Sequence, residues 1–377
     1  MRISFVIHRL SCSGAPKMLA WVANQMAKRG HEVHVITFFT GEQAQMLGET
    51  VTLHNLDIPQ STNRIVRNSA ELAKAQYKLL RRLKQIKPDV IVSFHSSGTY
   101  IHLLLNKLFG RYPVIFSERA DPNAHKGMKK KLFEMLMNCA NGTVFQTEGA
   151  RACFSGKIYE NSTVIPNPAV LKPKVAENLP KYLHTYENRD NRIVSVGRLS
   201  IAQKRQDVLL DAFQIVHNKH PEMQLVLYGS GEDMEKIRAL TAEKDLADCV
   251  VLAGNTNQVE ENICSARAFA LTSDYEGIPN ALIEALTVGV PCVSTDCSPG
   301  GAALLIRDGE NGFLVPRGDA EAVANRLLQL IEDAQISDRF AAEGPKVAEA
   351  FSEERIATLW EQNIMKICQR NQHGCGK

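Results

Sequence analysis

The stretch RIVSVGRLSIAQKRQDVLLDAFQIVHNKHPEMQLVLYGSG (192–231) decides the fold. It opens on a short β-rich run, RIVSVG (192–197), and passes through a loop into QDVLLDAFQIVHNKH (206–220), which has helical period. It then returns to a second apolar run, MQLVLYGSG (223–231), that ends on glycines. A strand, a helix and a strand in that order imply a right-handed crossover and a parallel sheet with helices on both faces.

The same rhythm extends outward on both sides. Toward the N-terminus lie RISFVIH (2–8), PKMLAWVANQMAKRG (16–30), HEVHVITF (31–38), DVIVSF (89–94) and YPVIFS (112–117). Toward the C-terminus lie EDMEKIRALTAEKDL (232–246), CVVLAG (249–254), ARAFALTS (266–273) and VPCVSTD (290–296). Between the two series, STVIPNPAV (162–170) leads into LKPKVAENLPKYLHTYENRDN (171–191), polar and punctuated by proline, which reads as a linker. The chain is 377 residues long, more than one core usually supports. The expectation is an α/β protein of two Rossmann-like, doubly wound parallel-sheet domains, 1–180 and 190–352. A terminal helix over 353–377 carries Ile356, Leu359, Trp360, Ile364 and Ile367 on one stripe and is expected to pack back on the first domain.

Composition narrows the function classes. Apolar content of 44% and charged content of 23% are those of an ordinary globular protein. No stretch approaches the ~20 apolar residues that span a bilayer, and MRISFVIHRLSCSG (1–14) reads as a first strand rather than a leader, so a cytoplasmic protein is expected. Nine cysteines without a CxxC pair read as reduced core thiols. Charge is uneven: residues 1–170 hold 22 Lys+Arg against 11 Asp+Glu, a balance of +11, and the remainder holds 22 against 30, a balance of −8. Much of the positive excess lies in 63–88 and in HKGMKKKLFEMLMNCA (125–140), which suits a membrane surface, a nucleic acid or a phosphorylated substrate. The acidic second half and an aromatic content of 6% argue against nucleic acid.

Parallel sheets bind ligands where strands end and helices begin. Four such places stand out. LSCSGAPK (10–17) offers Gly14 for close approach and Pro16 for a helix start, without the dinucleotide pattern GxGxxG. VGRLSIAQKRQD (196–207) carries Arg198 and Lys204, one a forked and one a point-like donor for a diphosphate. LYGSGED (227–233) brings Gly229 to a strand end. SDYEGIPNALIEALTVGVP (273–291) places Glu276 in a turn and Glu284 on the helix that follows. At about 1.5 Å of rise per helical residue, the two carboxylates stand within a ligand's length. Each can accept two hydrogen bonds from vicinal hydroxyls, and the helix start between them faces a diphosphate. A nucleotide sugar has these parts in this order. Helix capping is the plainer account of the two acids.

These residues resemble the glycosyltransferases of the large retaining GT-B family 4. EGIPNALIE (276–284) matches the family's E-x7-E signature, ALTVGVPCVSTD (285–296) its continuation, and Arg198 and Lys204 the Arg and Lys of its GRL-x4-K loop. IPNP (165–168) and NGFLVPRGDAEAVANRL (311–327) are similar to further family phrases. The resemblance implies two domains facing across a cleft, with the donor held in the second. It implies that Glu276 binds the donor sugar and Glu284 the ribose, while Arg198 and Lys204 clamp the diphosphate and stabilise the leaving group. Backbone at Gly14, Gly277, Ile278, Asn280 and Ala281 would meet the donor, with Gly229 and Gly254 near the nucleotide. Lys17 stands where many relatives have Arg, and Arg119 in VIFSERADP (114–122) where many have His. An arginine there cannot act as a base. Arg119, with Glu118 beside it, is left as a catalytic or acceptor-contacting candidate, or as a structural pair; Lys17 and His95 are further acceptor candidates, and His8 could face a cleft.

With no Asp-x-Asp anywhere, no metal and no cofactor are expected. The implied activity is retaining transfer of a hexose or N-acetylhexosamine from a UDP-sugar to a lipid-linked oligosaccharide or a lipopolysaccharide. The basic first half would rest on the anionic cytoplasmic membrane surface. TDCSPGGAALLI (295–306) leans the donor toward galactose or N-acetylgalactosamine. A UDP-sugar 2-epimerase or a non-catalytic sugar-nucleotide-binding protein are the competing readings.

Overall fold

The computed structural model describes residues 1–11, 14–39, 46–58, 69–94, 112–124 and 127–374. They form two compact units, one of Met1–Pro166 with Glu354 onward, the other of Asn167–Glu353.

In the first unit, β1 (Arg2–Ile7), β2 (Glu32–Thr37), β3 (Val51–Asn55), β4 (Val90–Phe94), β5 (Val114–Ser117), β6 (Gly142–Phe145) and β7 (Ser162–Val164) pair in the order β3-β2-β1-β4-β5-β6-β7. Every pairing is parallel. Near-continuous apolar runs make the central strands: β4, VIVSF, is buried at every position, as a strand covered by helices on both faces must be. β3, VTLHN, takes the edge, and only Val51 of it is buried.

The second unit repeats the plan with β8 (Asp190–Val196), β9 (Gln224–Tyr228), β10 (Val250–Gly254), β11 (Ala266–Leu271), β12 (Cys292–Thr295) and β13 (Phe313–Val315), ordered β10-β9-β8-β11-β12-β13. These pairings too are parallel. β11, ARAFAL, is wholly buried and central, whereas β10, VVLAG, alternates buried and exposed at the edge. The chain winds one way from β8 and the other way from β11. The crevice beyond the carboxyl ends of these two adjacent strands is therefore where this topology receives ligands.

The units divide at Pro166/Asn167 rather than between 180 and 190. The string read as a linker contains spaced apolar residues, and these are taken up by the second core: Val175 is buried there, with Leu171, Leu179 and Tyr182 packed against it, and Ala169 just ahead of the string is buried in the same core. The Ala169 N–H donates to the Phe351 carbonyl at 2.8 Å. Polar composition concealed this anchoring, because a few well-spaced side chains suffice to fix a short segment.

The helix Glu353–Gly374 lies on the first unit, where Ile356, Trp360, Ile364 and Ile367 join the core under β1 and β4. Gly142 lets it approach: a Cβ there would stand 2.7 Å from Ile367 Cδ1. Arg29 pairs with Glu361 at 2.9 Å and Glu354 at 2.6 Å, and His31 with Glu361 at 2.9 Å. The described cysteines are free thiols, and burial pushes Cys297 up to about 12. Among the described residues no helix is long and apolar enough to cross a membrane.

Candidate functional site

The loop after β8 is built to a fixed shape. The Gly197 N–H continues the ladder to the Tyr228 carbonyl at 2.9 Å, and the Leu199 N–H donates to Ser230 O at 3.1 Å. Asp233 Oδ2 accepts from the Ile201 N–H at 2.9 Å, and a single helical turn, Ile201–Lys204, follows. This turn ends because Arg205 adopts a left-handed conformation, φ 50°, and a new helix starts at Gln206. The sharp reversal directs Lys204 back over the strand ends instead of out to solvent.

The loop after β11 meets it there. Glu276 is 9% exposed, and its Oε1 accepts from the Lys204 ammonium and, at 2.8 Å, from the Ser273 hydroxyl. The pair is largely removed from water, with side-chain exposures of 16% for Lys204 and 10% for Glu276. A carboxylate so buried requires such partners, since an unpaired buried charge is costly. The turn is braced from a third loop: Glu276 N–H donates to Ser298 O at 2.8 Å and Ser298 N–H to Asp274 O at 3.1 Å. Gly301 lies against the same turn, and a Cβ there would stand 2.0 Å from the Gly277 carbonyl oxygen. TDCSPGG is therefore accounted for by packing, independently of any donor preference.

Gln203 joins the two loops. Its Oε1 accepts from Arg198 Nη2 at 2.7 Å, its Nε2 donates to Tyr275 O at 3.2 Å, and its carbonyl accepts from the Asp274 N–H at 2.9 Å. Arg198 is exposed, and one of its guanidinium nitrogens is held by this contact. Neither Gln203 nor Ser273 stands out in the sequence. The signal was adjacency: Gln203 precedes Lys204, and Ser273 closes β11 three positions before Glu276.

The helix Asn280–Thr287 begins at Pro279 without a side-chain cap, so its leading N–H groups are available to an anion. Asn280 Oδ1 accepts from Asn167 Nδ2 at 2.7 Å, which ties the helix start to the IPNP segment. Glu284 is half-buried on this helix. Ile278 is a core side chain, 5% exposed, so only its backbone can meet a ligand. Gly229 adopts φ 136°, and a Cβ there would lie 1.9 Å from Gly197 O; only glycine lets the β8 and β9 turns nest. Its N–H donates to Gly254 O at 2.7 Å. Arg198, Lys204, Gly229, Gly254, Glu276, Gly277, Ile278, Asn280, Ala281 and Glu284 thus all belong to the second unit, around the ends of β8, β9, β10 and β11.

The remaining candidates lie in the first unit. Gly14 opens the helix Gly14–Lys28, and Lys17 is exposed on its first turn. Glu118 organises its own loop: Oε1 accepts from the N–H groups of Arg119 at 3.0 Å and Ala120 at 2.8 Å. The Arg119 guanidinium lies 5.0 Å from the Phe94 ring centroid and 5.3 Å from that of Trp360. Burial lowers it to about 9, against the opposing pull of Glu118, which still leaves it charged at neutral pH. Glu118 thus shapes its turn through backbone N–H groups, and Arg119 packs against two aromatic rings. His8 sits with its ring edge-on to Phe38 and Phe39 at 5.6 and 5.8 Å. His95 lies outside the described residues.

Comparison with known proteins agrees over most of the chain. Residues 13–171 match the family model described as Glycosyltransferase Family 4, and residues 190–333 that described as Glycosyl transferases group 1. An uncharacterized glycosyltransferase of Haemophilus influenzae is 26% identical over 95% of this chain and 98% of its own length. A Campylobacter jejuni enzyme is 25% identical over 97% of this chain and 99% of its own. It is an α-1,4-N-acetyl-D-galactosaminyltransferase named for a diNAcBac-PP-undecaprenol-linked GalNAc disaccharide. The crystal structure of Anabaena HepE in complex with UDP-glucose superposes with a TM-score of 0.79 at 19% identity, covering 97% of this chain and all of that one.

Proposed function

We propose, for a chain that belongs to the GT-B glycosyltransferases of family 4 and is a transferase, that it moves a hexose or N-acetylhexosamine from a UDP-sugar to a lipid-linked glycan. A lipopolysaccharide is the other acceptor of this kind. The observation that carries the reading is the Lys204–Glu276 pair, which links the loops after β8 and β11 at the crevice where this topology takes its ligand. The relative that acts on an undecaprenyl-diphosphate glycan and the HepE neighbour with bound UDP-glucose support acceptor class and donor class respectively.

In this scheme an arriving diphosphate competes for the Lys204 ammonium and draws it from Glu276, while the exposed Arg198 closes on the same phosphates with forked hydrogen bonds. Glu276 keeps the Ser273 hydroxyl and turns its freed oxygen lone pairs to the sugar hydroxyls. Glu284 takes the ribose. The amides of Asn280 and Ala281 and the two cations stabilise charge as the UDP leaves, a contribution in which one donor is commonly worth ~10²–10³ in rate. No metal is required for this, and transfer proceeds with retention. Within that class the lean toward galactose or N-acetylgalactosamine is supported by the Campylobacter jejuni relative, named as an N-acetyl-D-galactosaminyltransferase. The enzyme works from the cytoplasmic face, peripheral to the membrane.

The test is a screen of UDP-galactose, UDP-N-acetylgalactosamine and their gluco epimers with undecaprenyl-diphosphate-linked oligosaccharides, in the presence of EDTA. Transfer with retained anomeric configuration is expected, and Glu276→Gln should lower it by about two orders of magnitude. An epimerised UDP-sugar formed without acceptor, or unimpaired transfer by Glu276→Gln, would overturn the proposal.

A further inference from the structure

The helix Gly127–Met137 in the first unit has two apolar faces where a surface helix needs one. Phe133, Leu136 and Met137 are buried with Phe116, Phe145 and Phe154, and the Phe133 ring meets Phe116 and Phe154 at 6.5 and 6.3 Å. That face accounts for its attachment. On the other side Met128 is 85% exposed, Leu132 50% and Met135 53%. Spacings of four and three put them on one stripe. Lys131 is exposed beside it, and Lys130 is drawn to Glu134 at 3.9 Å.

We infer that this stripe enters the interfacial region of an anionic bilayer, with the helix lying along the surface and the lysines at the headgroups. The stripe is three side chains spread over about 10 Å at 1.5 Å per residue, too few to supply the ~1,000 Å² that a specific protein interface buries. Its lysine border is unlike the core of such an interface, where lysine is depleted. A bilayer sets no requirement for matching shape, accepts flexible methionine and leucine side chains, and attracts the lysines. The excess of 22 basic over 11 acidic residues across 1–170 has the same sign. The inference extends the lipid-linked acceptor reading by naming the surface on which that acceptor is met, and it adds an apolar component to electrostatic attraction.

Vesicle flotation of the full chain tests it without any sugar, so its failure is separable from failure of the transferase reading. On phosphatidylglycerol-containing vesicles, Met128→Ser/Leu132→Ser/Met135→Ser should bind at least tenfold more weakly than the parent at low salt, with UDP affinity and thermal unfolding unchanged. Lys130→Gln/Lys131→Gln should bind more weakly at low salt and match the parent at high salt, where a residual apolar affinity remains. Met128→Trp should show a blue-shifted emission on adding vesicles. Equal flotation of the triple-serine variant, no vesicle binding by the parent, an unshifted emission spectrum of Met128→Trp, or a parent dimer that the triple variant dissolves, would each overturn it.

Discussion

Gln203 makes no contact with donor in the scheme above, yet it joins Arg198 to the turn that carries Glu276. A hydrogen bond to a charged group is worth about 1.5–3 kcal/mol, and 1.4 kcal/mol is tenfold. Gln203→Ala should therefore lower kcat about tenfold or more by loosening both loops, with a small change in melting temperature. Gln203→Glu should instead hold Arg198 more tightly and raise the KM for donor, because the new carboxylate competes with the diphosphate. Steady-state kinetics separate the two outcomes, whereas a purely structural role would move only stability. Gly301 is a second residue whose importance is steric: a Cβ on it would press on Gly277 O at 2.0 Å and on Ile278 Cα at 3.1 Å. Gly301→Ala should cost about 1–3 kcal/mol of stability by overpacking and weaken UDP binding by displacing the turn, measurable by denaturant titration and calorimetry.

At the scale of elements, the edge of the first sheet should respond to acid. His34 Nδ1 and His54 Nε2, on β2 and β3, share a hydrogen bond at 3.0 Å. Burial, with Arg82 and His34 nearby, lowers His54 to about 4. The unfolded chain binds this proton more readily than the folded one between about 6.5 and about 4, so stability contributed by neutral His54 is present above that window and is lost as pH falls through it. After allowance for its partial exposure, the loss is on the order of 1 kcal/mol. Urea midpoints measured at neutral pH and at about pH 4.5 should differ less in His54→Asn than in the parent. Most strands were legible as apolar runs, whereas β3, β6, β7 and β13, three to five residues long, were not. The bend at Arg205 was not legible: a left-handed arginine has no local signature, and it is imposed by the two helices that meet there.

On the scale of the whole molecule, the returning helix makes the first unit depend on the far end of the chain. Trp360 is fully buried, stacks on Phe94 at 5.7 Å and lies under the Arg119 guanidinium. Trp360→Ala should cost about 3–5 kcal/mol and leave Arg119 with one ring instead of two. Calorimetry should then show the transition of the first unit at lower temperature, with UDP binding by the second unit retained.

The alternation of strands and helices, the duplication of the plan and the stripe on the last helix were determined by sequence, because periodicity is a local property, and the strand-to-helix turns marked Arg198, Lys204, Glu276 and Glu284 as donor-side candidates. Where the units divide, and which neutral residues hold the charged ones, was decided only by tertiary structure. Ala169 and Val175 belong to the second core because it offers them a place, and Gln203 and Ser273 matter because two loops some 70 positions apart in Lys204 and Glu276 are brought together at adjacent strands. Long-range packing sets those neighbours, and no spacing along the chain encodes them.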